Sequence, residues 1–108
     1  GRKAVDSNAT FYDNLPVPVT DRIGEEGKGF YYLLDGLNPE RILIALECVG
    51  LGRAALRKAV EYANERVVFD RPIGKNQAIQ HPLADSWAHL EAADAMAWRA
   101  ADIILRDH

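Results

Sequence analysis

Two long stretches of the chain repeat apolar residues at helical spacing, and a short connector separates them. The first runs from about residue 39 to 66 and contains no proline after Pro39. Its apolar residues form two stripes, although a surface helix needs only one. One stripe comprises Ile42, Leu46, Val49, Leu56, Val60 and Ala63; the other comprises Ile44, Cys48, Leu51, Ala55, Ala59 and Tyr62. The pattern predicts a long helix that is packed on two sides.

The second stretch predicts another long helix, from about residue 77 to 106. Its apolar positions at helical spacing are Ile79, Leu83, Trp87, Leu90, Ala97 and Ile104, with many alanines between them. Long alanine-rich helices favour close antiparallel packing. The sequence therefore predicts a mainly α fold made of long antiparallel helices of a four-helix-bundle domain.

The first 24 residues follow a different pattern. Pro16 and Pro18 exclude a helix there, and Ala9–Tyr12 is a short strand candidate. We therefore expect residues 1–24 to be extended.

Helix signals then appear twice. A short helix is expected from Gly29 to a stop near Gly36, and Asn38-Pro39-Glu40 predicts the start of the long helix. That segment combines an N-cap residue, a proline at the first position and an acid in the first turn.

Two glycines, Gly50 and Gly52, interrupt the long helical pattern. Each costs about 1 kcal/mol relative to alanine inside a helix. Close approach of another backbone is the usual compensation, so we expect a helix crossing there.

Composition narrows the function classes. The net charge of −3 over 108 residues argues against generic nucleic-acid binding. Cys48 cannot form an intrachain disulfide, so we expect a small core residue in a cytoplasmic protein. Charged residues interrupt the longest apolar region, which excludes a membrane span there. The chain begins without a methionine, so we expect it to be a piece of a longer protein (the parent).

A metal site is not predicted. His81 and His89 are eight positions apart, which is not the i, i+4 spacing of paired helical ligands. His108 is terminal.

The connector carries more chemistry than a plain linker. Arg66, Arg71 and Lys75 surround Phe69, and Asn76-Gln77 then opens the second helix. Guanidinium groups, an aromatic ring and amides together suit an anionic ligand with a ring system. The alternative is that these are solvated charges, with Arg66 favourably placed at a helix C-terminus.

The order of these residues carries a resemblance. The run from Arg66 to Gln80 resembles the segment R-x-x-F-G-(R/K)-x-(I/L)…Q of the acyl-CoA dehydrogenases, flavoenzymes that oxidise acyl-CoA thioesters. The blocks Gly24–Phe30 and Gly36–Arg41 resemble the same family. Asp70 departs from its pattern, because the family usually has glycine there.

The resemblance implies a domain arrangement and partners. Residues 1–24 would be the remnant of the family's middle β-domain and its crossover, and residues 25–108 the first part of the C-terminal helical bundle. It also implies FAD as cofactor, an acyl-CoA substrate, an electron-transfer flavoprotein partner and a homo-oligomer (dimer or tetramer).

It further implies roles for individual residues. Glu40 matches the position where one branch of the family carries the catalytic base, whereas other branches place it on a later helix absent from this chain. A glutamate there is also what a helix start prefers on dipole grounds. Asn38 and Arg41 would contact substrate, although Arg41 also has Asp35 nearby as a pairing partner.

The cofactor contacts implied by the resemblance lie in the connector. They are Arg66 at the pyrophosphate, Phe69 beside the cofactor, Gln77 at its polar part and, more weakly, Asn76. In the family these positions reach the FAD bound mainly by a neighbouring subunit. Arg71 would be an accessory cation, or would pair with Asp70.

Two other functions stay open. One is a non-catalytic helical interaction or oligomerisation module, which the carboxylate of Asp70 favours. The other is a related flavin oxidase or monooxygenase on the same scaffold.

Overall fold

Two long antiparallel helices dominate the computed structural model, which describes residues 7–106. Helix α1 spans Gly29–Glu65 and helix α2 spans Gln77–Arg106. Between them lie two short strands, β1 (Val67–Val68) and β2 (Arg71–Pro72). The predicted mainly α fold with two long helices is confirmed. Residues 1–6 of the predicted extended segment, and His108, lie outside the described residues.

Helix α1 begins earlier than predicted. The expected stop near Gly36 and new start at Asn38 are both wrong, because the helix runs from Gly29 straight through Pro39. An interior proline removes one backbone donor and crowds the carbonyl four residues earlier, at a cost of about 3 kcal/mol. Strong helix formers such as Glu40 and Arg41 on its C-terminal side favour the continuous helix. Asn38 does not act as a cap; its Oδ1 accepts a hydrogen bond from Arg41 Nη1 at 2.8 Å.

The segment before α1 lies outside both helices. Residues 7–28 are exposed, and the only regular element described there is the 3₁₀ turn Val19–Asp21. The predicted strand at Ala9–Tyr12 is wrong, because a strand needs a hydrogen-bonding partner and residues 7–106 offer it none. Gly24 and Gly27 turn the chain into α1 at φ angles of 75° and 78°, which favour glycine.

The first apolar stripe of α1 faces α2. Within the described residues the buried side chains are Val49, Leu56, Ala63 and Ala97. The second stripe stays exposed, with Leu51 72% and Tyr62 59% accessible. The expectation that Cys48 is a core residue is wrong for this chain, since it lies on that second, uncovered stripe.

Glycine sets how closely the two helices approach. A Cβ atom at Gly52 would come within 2.5 Å of Leu90 Cδ2, so the side chain of Leu90 fills the space over that glycine. Gly52 therefore lies where α2 packs on α1, but the close contact is with a side chain and not with another backbone. At Gly50 the position of a Cβ atom has no neighbour within 4 Å, so that glycine is not explained by a contact inside this chain.

Ion pairs next to this contact also join α1 to α2. Arg53 Nη2 donates to Glu91 Oε1 at 2.7 Å and to Asp94 Oδ2 at 3.1 Å, both across the helix pair. The hydrogen bonds to Glu91 and then Asp94 raise the pKa of Arg53 above its ordinary value. These hydrogen bonds favour the charged form that arginine has in any case. Arg53, a polar residue between Val49 and Leu56 of the first stripe, thus has two partners on α2.

The helix pair leaves much surface uncovered. A compact monomer of 12.0 kDa exposes about 6,000 Å², whereas this chain exposes 9698 Å². Its radius of gyration is 22.7 Å, against about 13 Å for a compact chain of this length. Trp87 and Trp98 are 55% and 61% accessible, so neither lies in a core here. None of the helices described has the length and apolar content to cross a bilayer.

The two glycines provide a matched test of the helix crossing. Gly50→Ala should stabilise the helix pair by up to about 1 kcal/mol, because it gains helix propensity where a methyl group meets nothing. Gly52→Ala gains the same propensity but must displace Leu90, so it should be the less stable variant. Thermal unfolding followed by circular dichroism compares them. Equal stabilities would mean that the crossing at Gly52 does not constrain the pair.

The exposed second stripe predicts self-association of the 108-residue chain. Apolar patches of this size seldom stay bare on soluble monomers. Light scattering should give a mass above that of one chain, and Leu51→Glu should shift it towards the monomer. Thr20→Glu, which adds the same charge outside the helices, should not. A stable wild-type monomer would contradict this prediction.

Candidate functional site

The connector between the helices is a miniature β-hairpin. Helix α1 ends at Glu65, and β1 then pairs antiparallel with β2, with Val67 opposite Pro72 and Val68 opposite Arg71. Pro72 offers no donor to the ladder, and the amide of Ile73 closes the hairpin by donating to the Arg66 carbonyl at 2.8 Å. The sequence pattern did not predict this hairpin.

Phe69 and Asp70 form the tip. Their φ angles are 51° and 61°, and positive values at both central residues define a type I′ turn. This turn favours Asn-Gly or Asp-Gly, so a phenylalanine followed by an aspartate is an unusual solution. The ring of Phe69 is 94% accessible. The turn therefore presents an aromatic ring to whatever lies outside the chain.

The base of the hairpin is packed tightly against the end of α1. A Cβ atom at Gly74 would lie 2.9 Å from the Ala63 carbonyl oxygen, so only glycine fits without a shift. Ile73 and Ile79 lie beside Tyr62 and Ala63 in an apolar cleft of about 350 Å³. These contacts fix where the hairpin leaves the helix pair.

The predicted cofactor residues share this end of the molecule. Arg66 and Gln77 are exposed, and neither side chain has a hydrogen bond or ion pair within residues 7–106. Asn76, which is half-buried, differs: its Oδ1 accepts a hydrogen bond from Arg71 Nη2 at 2.8 Å. The predicted alternative partner of Arg71, Asp70, is wrong, because Asp70 pairs with no cation in the described part of the chain.

The predicted substrate and catalytic residues lie elsewhere on α1. Glu40 is exposed in the body of the helix, well beyond its first turn. Arg41 is bonded to Asn38, so the pairing with Asp35 considered from the sequence is not formed. At about 1.5 Å of rise per residue, Glu40 and Arg66 are about 39 Å apart along α1. One copy of the chain therefore does not bring these two residues to a single ligand.

A family model described as the C-terminal domain of acyl-CoA dehydrogenase matches residues 27–108. That range covers both helices and the connector. The chain belongs to the acyl-CoA dehydrogenase family.

Relatives within this family differ in the acyl group that their names specify. The chain is 44% identical to an acyl-CoA dehydrogenase of Bacillus subtilis, over 90% of the chain and 26% of that protein. It is 38% identical to the mitochondrial isovaleryl-CoA dehydrogenase of Oryza sativa, over 94% of the chain and 25% of that protein. It is 34% identical to the cyclohex-1-ene-1-carbonyl-CoA dehydrogenase of Syntrophus aciditrophicus, over 96% of the chain and 25% of that protein.

This acyl-CoA dehydrogenase segment spans about a quarter of the length of these curated relatives. No solved structure matches the chain.

The donor set at the connector fits FAD, the cofactor that the resemblance implies. A guanidinium, an amide and an aromatic ring, from Arg66, Gln77 and Phe69, all remain exposed at one end of the helix pair. An arginine can donate hydrogen bonds to the two phosphates of FAD, and an exposed aromatic ring can stack on its flat ring system. Asp70 pairs with neither Arg66 nor Arg71 in the described part of the chain. Arg66 has no partner within residues 7–106, so its charge is available to an anion, whereas Arg71 donates to Asn76.

Proposed function

We propose that this chain is part of an FAD-dependent acyl-CoA dehydrogenase that catalyses α,β-dehydrogenation of an acyl-CoA thioester. Membership of the family carries the proposal, and the exposed donor set of the connector supports it. When bound, FAD supplies the acceptor for the hydrogen that leaves the β-carbon with its electron pair. The side chains of the protein bind and orient the substrate and the cofactor, and one of them removes a proton.

The connector holds the cofactor in this proposal. Arg66 neutralises the pyrophosphate with a charge-assisted hydrogen bond, Phe69 packs beside the cofactor, and Gln77 bonds a polar group. Asn76 contributes through its amide nitrogen, because its oxygen is already used by Arg71. The large exposure of Phe69 supports this assignment, since an apolar ring gains most by being covered.

Glu40 removes the α-proton of the thioester. A carboxylate is a suitable base for that proton when it is held close to the α-carbon. The alternative explanation is that a glutamate is favoured in the first turn of a helix by the helix dipole. It does not apply to Glu40, because α1 begins at Gly29. Asn38 and Arg41 bind substrate as a bonded pair, with the other guanidinium donors of Arg41 free to reach an oxygen.

The 39 Å separation supports an oligomeric arrangement. Glu40 and the connector of one chain would serve two different sites, with the connector completing the cofactor site of a neighbouring subunit. A homo-oligomer, dimer or tetramer, follows from this proposal.

The remaining assignments rest on the family. Residues 1–24 would end a middle β-domain and residues 25–108 would open the helical domain. The parent would pass its electrons to an electron-transfer flavoprotein in the cytoplasm. The 108-residue chain alone should not bind FAD, because a few exposed contacts do not offset the cost of ordering a large ligand.

Glu40→Gln in the parent should lower turnover by about 10²-fold or more while FAD stays bound, because the change removes the base and keeps the shape. Steady-state turnover and flavin absorbance measure both. Glu61→Gln, another exposed carboxylate on α1, is the matched control and should behave as wild type. Near-normal turnover of Glu40→Gln would assign the base to a residue outside residues 1–108.

Arg66→Ala in the parent should weaken FAD binding by about 1.5–3 kcal/mol, the usual contribution of a hydrogen bond to a charged group. Flavin release on dilution, followed by fluorescence, measures it. Lys58→Ala removes an exposed cation from α1, away from the connector, and should leave release unchanged. If both variants retain FAD equally, Arg66 is not a pyrophosphate ligand.

A further inference from the structure

The hairpin tip adopts a conformation that its own sequence disfavours. Phe69 and Asp70 both have left-handed backbone angles, at φ 51° and 61°. Residues with a side chain avoid that region, most strongly when the side chain is bulky. Two-stranded hairpins are also marginal by themselves in water. Contacts outside the turn must therefore hold the hairpin in the shape that presents Phe69.

Apolar packing of Ile73 beside Tyr62 and a hydrogen bond from the Asn76 amide to the Ile73 carbonyl at 3.0 Å contribute to this, and three further contacts act within the described residues. The Ile73 amide donates to the Arg66 carbonyl at 2.8 Å, and Gly74 lies against the Ala63 carbonyl. Both act through the backbone at the base of the hairpin. The third is the hydrogen bond from Arg71 Nη2 to Asn76 Oδ1, which joins β2 to the residue directly before α2.

We propose that the hydrogen bond between Arg71 and Asn76 is a latch that holds the hairpin against the start of α2 and so positions Phe69 and Arg66 for FAD. The inference rests on the proposed function for its ligand. It makes Arg71 a positioning residue and not an accessory cation at the pyrophosphate. Asn76 acts first on the hairpin, through its oxygen.

The choice of partner supports this role. Asp70, the carboxylate next to Arg71 in sequence, would be the stronger electrostatic partner, yet Arg71 donates to the neutral amide of Asn76. Pairing of Arg71 with Val68 in the hairpin ladder fixes its backbone. The guanidinium thus closes the short loop that contains Pro72, Ile73 and Gly74, where backbone contacts with α1 already act.

The Ile73 amide provides a direct readout in the 108-residue chain, because its protection from hydrogen exchange requires a closed hairpin. Arg71→Ala and Asn76→Ala should each lower that protection about fivefold, the factor expected for one exposed hydrogen bond. The double variant should lose no more than either single variant, because both changes break the same bond. Helix content by circular dichroism should stay constant in all three.

Two further variants distinguish loss of the bond between Arg71 and Asn76 from loss of positive charge in the connector. Asn76→Asp keeps an acceptor for Arg71 and should retain wild-type protection. Lys75→Ala removes a neighbouring exposed cation that makes no hydrogen bond within residues 7–106, and it should also leave protection unchanged. Additive losses of about twenty-five-fold in the double variant, or no loss in any variant, would overturn the latch.

The parent tests the positioning role. Arg71→Ala should weaken FAD binding about fivefold with little change in its dependence on salt concentration. Arg66→Ala should reduce that dependence, because it removes the cation that contacts the phosphates and salt weakens the attraction between opposite charges. A lower salt dependence in Arg71→Ala would make Arg71 a phosphate ligand and overturn the positioning role. A parent that binds no FAD would overturn the proposed function instead, and the exchange data would still decide whether the latch closes the hairpin.

Discussion

The close contact of Leu90 with Gly52 is the constraint on which this structure depends. The side chain of Leu90 occupies the space that a side chain at position 52 would need, and Arg53 next to it reaches Glu91 and Asp94 on α2. A single register follows for the whole pair. Between the two helix ends the chain turns through Phe69 and Asp70, and the base of that hairpin is packed on Ala63.

The same packing explains why the chain has so little core. Two helices bury one face of each other, and α1 carries a second apolar stripe that stays largely exposed. Gly50 shows this most clearly, since a helix interior gains nothing from a glycine that contacts nothing. The curated relatives that it matches are about four times as long.

The sequence predicted what depends on long-range periodicity and missed what depends on a few bonds. Apolar spacing identified both helices and the stripe that contains Val49 and Leu56, and the glycine at position 52 indicated a close contact there. It failed at Pro39, where a helix-start pattern occurs inside a continuous helix, because local preference cannot tell an interior proline from a first-turn one. The connector hairpin was not predicted, because a strand of two residues is too short to show an alternation of apolar and polar residues. The candidate residues were found by resemblance to a motif, but the bond between Arg71 and Asn76 is a fact of geometry alone.

The distance between Glu40 and Arg66 has a consequence for inheritance under the proposed function. A subunit defective at Glu40 would still offer an intact connector to its neighbour, and a subunit defective at Arg66 would still carry an intact base. In a mixed oligomer, one site would inherit both defects and another would inherit neither. Two alleles that are each inactive alone would then restore activity together.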